Sequence, residues 1–276
     1  MQPDVFFIAH EVLIRTGIFL FLFVLIGAVE VIVPRRRPTV PKRGRWANNI
    51  GMMLLTTGLI RLTVPITAVA AASFANEHGW GLFHHVQVPV VLAVVGSVIT
   101  LDLIIYLQHV LVHAVPILWR IHRVHHADPE YDVTTGIRFH PIEIVLSLAI
   151  KLTAVVLLGT PVSAVVLFEA ILNGMAMFNH GNIRLPVSWD RILRGVLVTP
   201  DMHRVHHSPE TDELNANFGF NISLWDKMFG TYRAQPRMGH ENMRIGIEEF
   251  RARKDVISLP GMLALPFRKK VPATVK

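Results

Sequence analysis

Five apolar runs, each close to the length of a membrane-spanning helix, divide the chain. A helix needs about 20 apolar residues to cross the roughly 30 Å hydrocarbon core of a bilayer. The second run contains Arg61 and Pro65 near its middle, which predicts a kinked or partly interfacial helix. The pattern predicts an all-α integral membrane helical bundle of about four to five spans. The runs cover residues 12–33, 47–74, 89–107, 142–158 and 161–178.

The last two runs are separated only by Gly159 and Thr160, and so short a joint predicts an antiparallel helical hairpin over residues 142–178. Lys151 lies nine residues before Thr160 and Glu169 nine residues after it, so both reach the same depth. At about 1.5 Å per residue that depth is roughly 13 Å from the turn. A lone charge is costly inside hydrocarbon, and we therefore expect these two side chains to pair.

Composition and charge agree with a membrane protein. Of 276 residues, 51% are apolar and 17% are charged, and the mean hydropathy is +0.43, whereas soluble domains are about 25% charged. The net charge of +7 does not indicate nucleic-acid binding, because the basic residues cluster beside the apolar runs. Residues 35–45 carry six of them, and residues 76–88 carry none. This asymmetry predicts that the histidine-rich segments and the C-terminus face the cytoplasm.

Histidines recur at helical spacing in three segments. One segment reads H-V-L-V-H from residue 109, and H-R-V-H-H occurs twice, from residues 122 and 203. Spacings of three and four residues place the imidazoles on one helical face. The chain has no cysteine, so a metal would be held by nitrogen and oxygen donors. With one isolated histidine, nine ligands suffice for two metals: His109, His113, His122, His125, His126, His180, His203, His206 and His207.

The histidines alone are compatible with two functions, a metal-dependent hydrolase and a metal-binding or metal-transporting protein. A zinc-dependent membrane hydrolase would use imidazole ligands, although His109 and His113 enclose Val-Leu-Val and lack the glutamate of H-E-x-x-H. A metal transporter or metal-binding membrane protein would hold its ion near the midplane, whereas these ligands gather at one edge. Metal analysis and measurement of oxygen uptake would test these functions.

Three further motifs accompany the histidines. They are R-F-H-P-I-E at residues 138–143, N-H-G-N-I-R-L-P at residues 179–186, and L-W-D-K-M-F-G-T-Y at residues 224–232. Together with H-x3-H and the two H-x2-H-H motifs, they resemble the fatty acid hydroxylase and sterol desaturase superfamily over roughly residues 90–235. Members of that family are membrane oxygenases with two non-haem irons.

The resemblance implies an O2-dependent enzyme in which the nine histidines hold two Fe ions and a C–H bond of a membrane lipid is hydroxylated or desaturated. It also implies a separate electron donor, ferredoxin-like or cytochrome b5-like. The subfamilies place a histidine or an asparagine four residues before the isolated histidine. Here Ala176 stands in that place, so sterols, carotenoids, acyl chains, ornithine lipids and ether lipids all remain possible substrates.

Asp102 and Tyr106 share a helical stripe with His113, and an acid inside a span is functional by default. We expect the Asp102 carboxylate to bond a ligand histidine or Tyr106 and to orient the ligands. Asp201, Asp226 and Glu143 are weaker candidates for this task. His140 begins a helix and is left outside the ligand set, and His10, His78, His84, His85 and His240 are expected to be incidental.

The predicted organisation is one membrane domain over residues 1–276. It comprises N-terminal spans at residues 12–107, a catalytic region at 108–235 and a basic C-terminal tail at 236–276. Within the tail, residues 259–276 are predicted to be interfacial or disordered.

Overall fold

The computed structural model describes residues 3–86 and 88–269, with side chains from Ala9 onward. Within those residues the secondary structure is helical, apart from two isolated β-bridges. The helices are α1 (Pro3–Ile32), α2 (Lys42–Thr63), α3 (Ala68–Glu77), α4 (Leu82–His85), α5 (Val90–Ala114), α6 (Pro116–His126), α7 (Pro141–Leu158), α8 (Val162–Asn179), α9 (Val187–Leu193), α10 (Pro200–His206), α11 (Thr211–Leu214), α12 (Leu224–Met228), α13 (Gly239–Asn242), α14 (Arg253–Val256) and α15 (Leu259–Ala264), with 3₁₀ turns at Thr135–Ile137 and Leu265–Phe267.

Five helical stretches are long and apolar enough to cross a membrane, which confirms the predicted all-α membrane bundle. The second stretch is interrupted as expected: α2 ends at Thr63, and α3 begins after Thr67, whose hydroxyl accepts from the Ala70 N–H at 3.1 Å. Pro65 lies in the gap, where it cannot continue the hydrogen-bond ladder of α2. The stretches are Ala9–Ile32, Lys42–His85, Val90–Ala114, Pro141–Leu158 and Val162–Asn179.

The core of the bundle lies between α3, α5, α7 and α8. Small residues of α3, such as Ala71 and Ala72, pack with Leu101 of α5 and Phe168 of α8, and all four are almost fully buried. Small side chains let helical backbones approach closely, which is the usual basis of helix packing in a membrane. The long helix α1 lies along α8.

The turn between α7 and α8 confirms the predicted hairpin. Gly159 has φ +66°, and a Cβ there would lie 2.6 Å from the carbonyl oxygen of Trp80. Glycine is therefore required both for the left-handed conformation and for the close approach of the neighbouring loop. Asn76 donates to the carbonyl of Thr160 at 3.0 Å and holds the loop on the turn.

The predicted pairing of Lys151 with Glu169 is also confirmed, since the lysine ammonium donates to the glutamate carboxylate. The structure adds two partners from α1. Arg15 contacts the second carboxylate oxygen of Glu169 at 3.0 Å and Glu11 at 2.7 Å. Two acids and two bases thus balance one another between α1, α7 and α8, as charges inside hydrocarbon require.

The C-terminal segment differs from its prediction. Met262 of α15 and Leu265 are fully buried against Met52 of α2 and Val124 of α6. Arg123 donates to the carbonyl of Leu265 at 2.6 Å. The expectation of disorder is wrong for residues 259–269, because their apolar side chains and carbonyls pack against α2 and α6. The interfacial position stays a prediction. Residues 270–276 lie outside the described residues.

The charge network predicts unequal effects of its members on stability. Glu169→Gln leaves Lys151 and Arg15 with one carboxylate, Glu11, and should lower the free energy of unfolding by about 3–5 kcal/mol, as breaking a buried pair does. The double variant Lys151→Met/Glu169→Gln restores the balance and should be less destabilised than Glu169→Gln alone. Unfolding in mixed detergent micelles measures both. Additive losses in the double variant would show that the charges do not act together.

Candidate metal centre

The predicted ligands lie at the ends of the spans α5 and α8 and on the segments that follow them. We call these segments outside the spans, residues 115–140 and 180–269, the cap. His109 and His113 lie in the last turns of α5, and α6 starts immediately afterwards at Pro116. His180 is the C-cap of α8. Helix α10 starts at Pro200, where Thr199 accepts from the N–H of Met202 at 3.3 Å. The two H-x2-H-H motifs therefore lie on short cap helices, while the remaining three histidines come from the spans.

The structure brings together all nine histidines in two groups. Within each group every residue offers a donor atom within 4.8 Å of the others. The first group has five members, His109, His113, His122, His126 and His206. The second has four, His125, His180, His203 and His207.

The two groups adjoin. The rings of His126 and His207, one from each group, stack with centroids 4.4 Å apart and planes at 21°. The rings of His203 and His206 are likewise stacked at 5.2 Å. Two ions, one in each group, would thus be neighbours in one site.

Backbone carbonyls and one carboxylate define the tautomers of four ligands. The Nδ1 atoms of these rings lie 2.6–2.8 Å from oxygens that only accept, so each Nδ1 carries the proton and each Nε2 carries the lone pair. The pairs are His109 with Phe218 O, His122 with Glu143 Oε1, His180 with Ala176 O, and His206 with Ala216 O.

The Nε2 atoms of His109 and His206 lie 3.0 Å apart. Because both rings are protonated at Nδ1, two lone pairs face each other, and the contact is repulsive without a cation between them. Two nitrogens at right angles around one metal, each bound at about 2.1 Å, are about 3.0 Å apart. The contact therefore has the spacing of two ligands of one metal.

Buried imidazole nitrogens without hydrogen-bond partners also indicate a metal site. The Nε2 atoms of His113 and His122 have no hydrogen-bond partner. In His126, His203 and His207, each of the two ring nitrogens lacks a partner. A buried polar group left unsatisfied costs about 1–3 kcal/mol. Burial lowers the pKa of His180 and His206 to about 3, so these rings are neutral donors at pH 7. The residues fit two metal ions bound by imidazole.

Asp226 supports the first group through the backbone. Its carboxylate accepts from the N–H groups of Phe218 and Gly219, each at 2.8 Å. The carbonyl of Phe218 is the acceptor for His109. Asp226 also accepts from Thr231, which bonds the Tyr106 hydroxyl at 2.9 Å. Tyr106 is thus linked to the first group through Thr231 and Asp226, and not through Asp102.

The expected contact of Asp102 with a ligand or with Tyr106 is wrong. Its carboxylate accepts from the Trp225 indole at 2.7 Å and from the Ile222 N–H at 3.3 Å. Asp102 and His109 do lie on the same face of α5, but too far apart along the helix to bond each other. Seven residues of helix separate Asp102 from His109 by about 10 Å, beyond the reach of a short carboxylate. Asp102 instead binds the segment that carries α12.

The family can be assigned on comparison with known proteins. The model of the fatty acid hydroxylase family matches residues 93–231, about half of the chain, and that range contains all nine histidines. The chain belongs to the fatty acid hydroxylase family. The resemblance found in the motifs is thereby confirmed.

Two kinds of family member are similar to this chain. The ornithine lipid hydroxylase of Rhizobium tropici is 27% identical over 258 residues, which cover 92% of this chain and 75% of the relative. Human alkylglycerol monooxygenase is 27% identical over 135 residues, or 47% of this chain, and that of Xenopus tropicalis is 29% identical over 132 residues, or 46%. These matches cover only 28% and 27% of the two monooxygenases. No solved structure matches the chain.

The histidines left outside the ligand set lie elsewhere. His140 caps α7, with Nδ1 accepting from the Ile142 N–H at 3.2 Å and Nε2 lying 3.3 Å from the carbonyl of Leu263. His240 lies 3.7 Å from Asp201. The exposed His84 lies against Gly159 in the turn between α7 and α8. His78 ends α3, with Nδ1 2.8 Å from the carbonyl oxygen of Phe74.

Two residues that support the site, Glu30 and Tyr131, were not identified from the sequence. Glu30 is an acid inside the first apolar run, and its carboxylate accepts from Val133 and Asn182, each at 2.7 Å. It thereby holds the chain on both sides of the second group. Tyr131 stacks on His180 at 5.5 Å. The intramembrane charge of Glu30 was a usable signal, whereas nothing in the sequence distinguished Tyr131.

The contact between Glu143 and His122 predicts that Glu143 supports metal binding by the first group. Glu143→Leu removes the acceptor that orients His122, and such a loss typically costs 10–100-fold in metal affinity. Glu143→Gln keeps a carbonyl acceptor and should lose less. Metal titration of the purified protein, followed by elemental analysis, measures the difference. Exposed Glu248→Leu is the control, and parental affinity in Glu143→Leu would contradict the assignment.

Proposed function

We propose that this protein is a di-iron, O2-dependent oxidoreductase that hydroxylates a C–H bond of a membrane lipid. The observation that carries the proposal is the pair of adjoining groups of five and four imidazoles at the end of a bundle of apolar spans. Membership in the fatty acid hydroxylase family supports lipid C–H hydroxylation.

The donor set favours iron over zinc. A structural zinc takes four ligands, and a catalytic zinc takes three and a water. The first group offers five imidazoles, which exceeds both patterns and suits a metal of higher coordination number, and imidazole is a good ligand for iron. Glu143 accepts from His122 at 2.6 Å through one carboxylate oxygen, which gives it the role of orienting that imidazole.

The chemistry requires outside electrons. Hydroxylation places one atom of O2 on carbon and reduces the other to water with two electrons and two protons. When bound, the irons would supply the redox chemistry that activates O2. We propose that a separate ferredoxin-like or cytochrome b5-like protein delivers the electrons, as the resemblance to this family implies. By the charge rule, this protein would dock from the cytoplasmic side.

The chain's own residues hold and shield the centre. Eight of the nine histidines are buried, and His113 is partly buried. Phe218 lies beside His109 with ring centroids 5.6 Å apart, and Phe139 stacks on His125 at 4.5 Å. These aromatic walls keep bulk water from the ligands. The backbone acceptors fix the rings, so the lone pairs are oriented before any metal binds.

Ornithine lipids and ether lipids are the substrates to test first. The match to the ornithine lipid hydroxylase of Rhizobium tropici extends over 92% of this chain. The matches to alkylglycerol monooxygenases cover about half of it. We therefore place ornithine-type lipids ahead of ether lipids as candidates.

The test is lipid analysis of membranes that contain the protein, with its reductase system, under ¹⁸O2. A lipid should gain one oxygen atom that carries the label. His206→Ala should abolish this product and reduce bound iron, because His206 is a ligand of the first group. The exposed His84→Ala should keep both. A purified protein that binds zinc and forms no labelled lipid would contradict the proposal.

A further inference from the structure

Two short helices, α9 and α12, each expose large apolar side chains. The exposed residues on α9 and the residues after it are Trp189, Ile192 and Val196, and those on and next to α12 are Leu224, Met228 and Phe229. Ile192 and Met228 are 74% and 68% exposed. We call these six side chains the α9–α12 face. Large exposed apolar patches of this kind mark an interaction surface.

The two helices are held together as one unit. Residues Leu197 and Ile222 form an antiparallel β-bridge, and the Ser223 N–H donates to the carbonyl of Val196 at 2.9 Å. Lys227 donates to the carbonyl of Arg194 at 2.8 Å, at the C-terminal end of α9. The face is therefore fixed by backbone and side-chain bonds.

Contacts with α5 place the inner side of this unit beside the membrane-spanning part of that helix. Trp225 of α12 donates to Asp102, which is the thirteenth of the 25 residues of α5 and thus its midpoint. A helix crosses hydrocarbon with about 20 residues, so Asp102 lies within the hydrocarbon level whichever end of α5 protrudes. Phe229 stacks on Tyr106, one turn further along, at 5.4 Å.

The charges of the unit fit a phospholipid surface. Arg191 and Lys227 are exposed beside the apolar side chains. Both acids of these segments are engaged internally, Asp190 with Arg194 and Thr199, and the buried Asp226 with the loop at Phe218. An apolar face with an exposed tryptophan and cationic rim is typical of the membrane–water interface.

We propose that the α9–α12 face lies in one phospholipid leaflet, in its headgroup and upper acyl region, and is continuous with the lipid-facing surface of α5. Leu107, 49% exposed on α5, belongs to that surface. The cap that carries the metal ligands is then partly embedded, so its histidines lie beside lipid and not above it. This inference holds whatever reaction the centre catalyses.

The chain has no cysteine, so single-cysteine variants can be spin-labelled without altering the background. Ile192→Cys and Met228→Cys report on the face, Leu107→Cys is the lipid reference, and the exposed Thr211→Cys on α11 is the water reference. The 276-residue chain in phospholipid nanodiscs is used. Accessibility of each label to O2 and to a water-soluble nickel chelate is measured by electron paramagnetic resonance.

The labels at Ile192 and Met228 should resemble that at Leu107. Their ratio of O2 to chelate accessibility should be about tenfold above that at Thr211, because apolar O2 enters hydrocarbon and the polar chelate does not. A ratio equal to that at Thr211 would place the face in water and overturn the proposal. Exclusion of both reagents would also overturn it, because it would show a protein partner or a second copy on the face. Parental metal content in each variant verifies the fold.

Discussion

The structure depends on one constraint: nine imidazoles converge in a buried site where hydrogen bonds satisfy only some of their nitrogens. Five Nε2 atoms have no partner, and those of His109 and His206 face each other at 3.0 Å. At about 1–3 kcal/mol for each unsatisfied buried group, such a cluster would oppose folding. Metal binding would reverse the sign of this contribution and would couple folding to metal binding.

The rest of the fold serves to hold these rings in place. The spans supply rigid helix ends, and the carbonyls of Phe218, Ala176 and Ala216 set the proton positions. Glu30 and Asp226 act one step further out, by binding the backbone segments beside the ligands. Deeper in the bundle, Glu169 joins α1 to the hairpin through Arg15 and Lys151. These three charged groups inside the spans thus have partners that link separate helices.

Much of this could be predicted from sequence because it follows from periodicity. The apolar runs, the break at Pro65, the turn at Gly159 and the matched depth of Lys151 and Glu169 all depend on counting along one helix. The candidate ligands were also identifiable, because eight of them repeat at helical spacing.

Tertiary contacts could not be predicted in this way. Asp102 was assigned to the ligands because it shares their stripe, but the partner that reaches it, Trp225, is 123 residues away in sequence. The packing of the segment around Leu265 was missed because its apolar pattern fits a membrane surface as well as the groove it fills. Carbonyl acceptors such as Ala216 O carry no side-chain signal at all.

The most direct test of the two-metal centre is anomalous scattering at the iron absorption edge from crystals of the iron-loaded protein. The structure predicts two anomalous peaks, one contacting His109 and His206 in the five-histidine group and one contacting His125 and His180 in the four-histidine group. A single peak, or peaks only at the zinc edge, would contradict a di-iron centre.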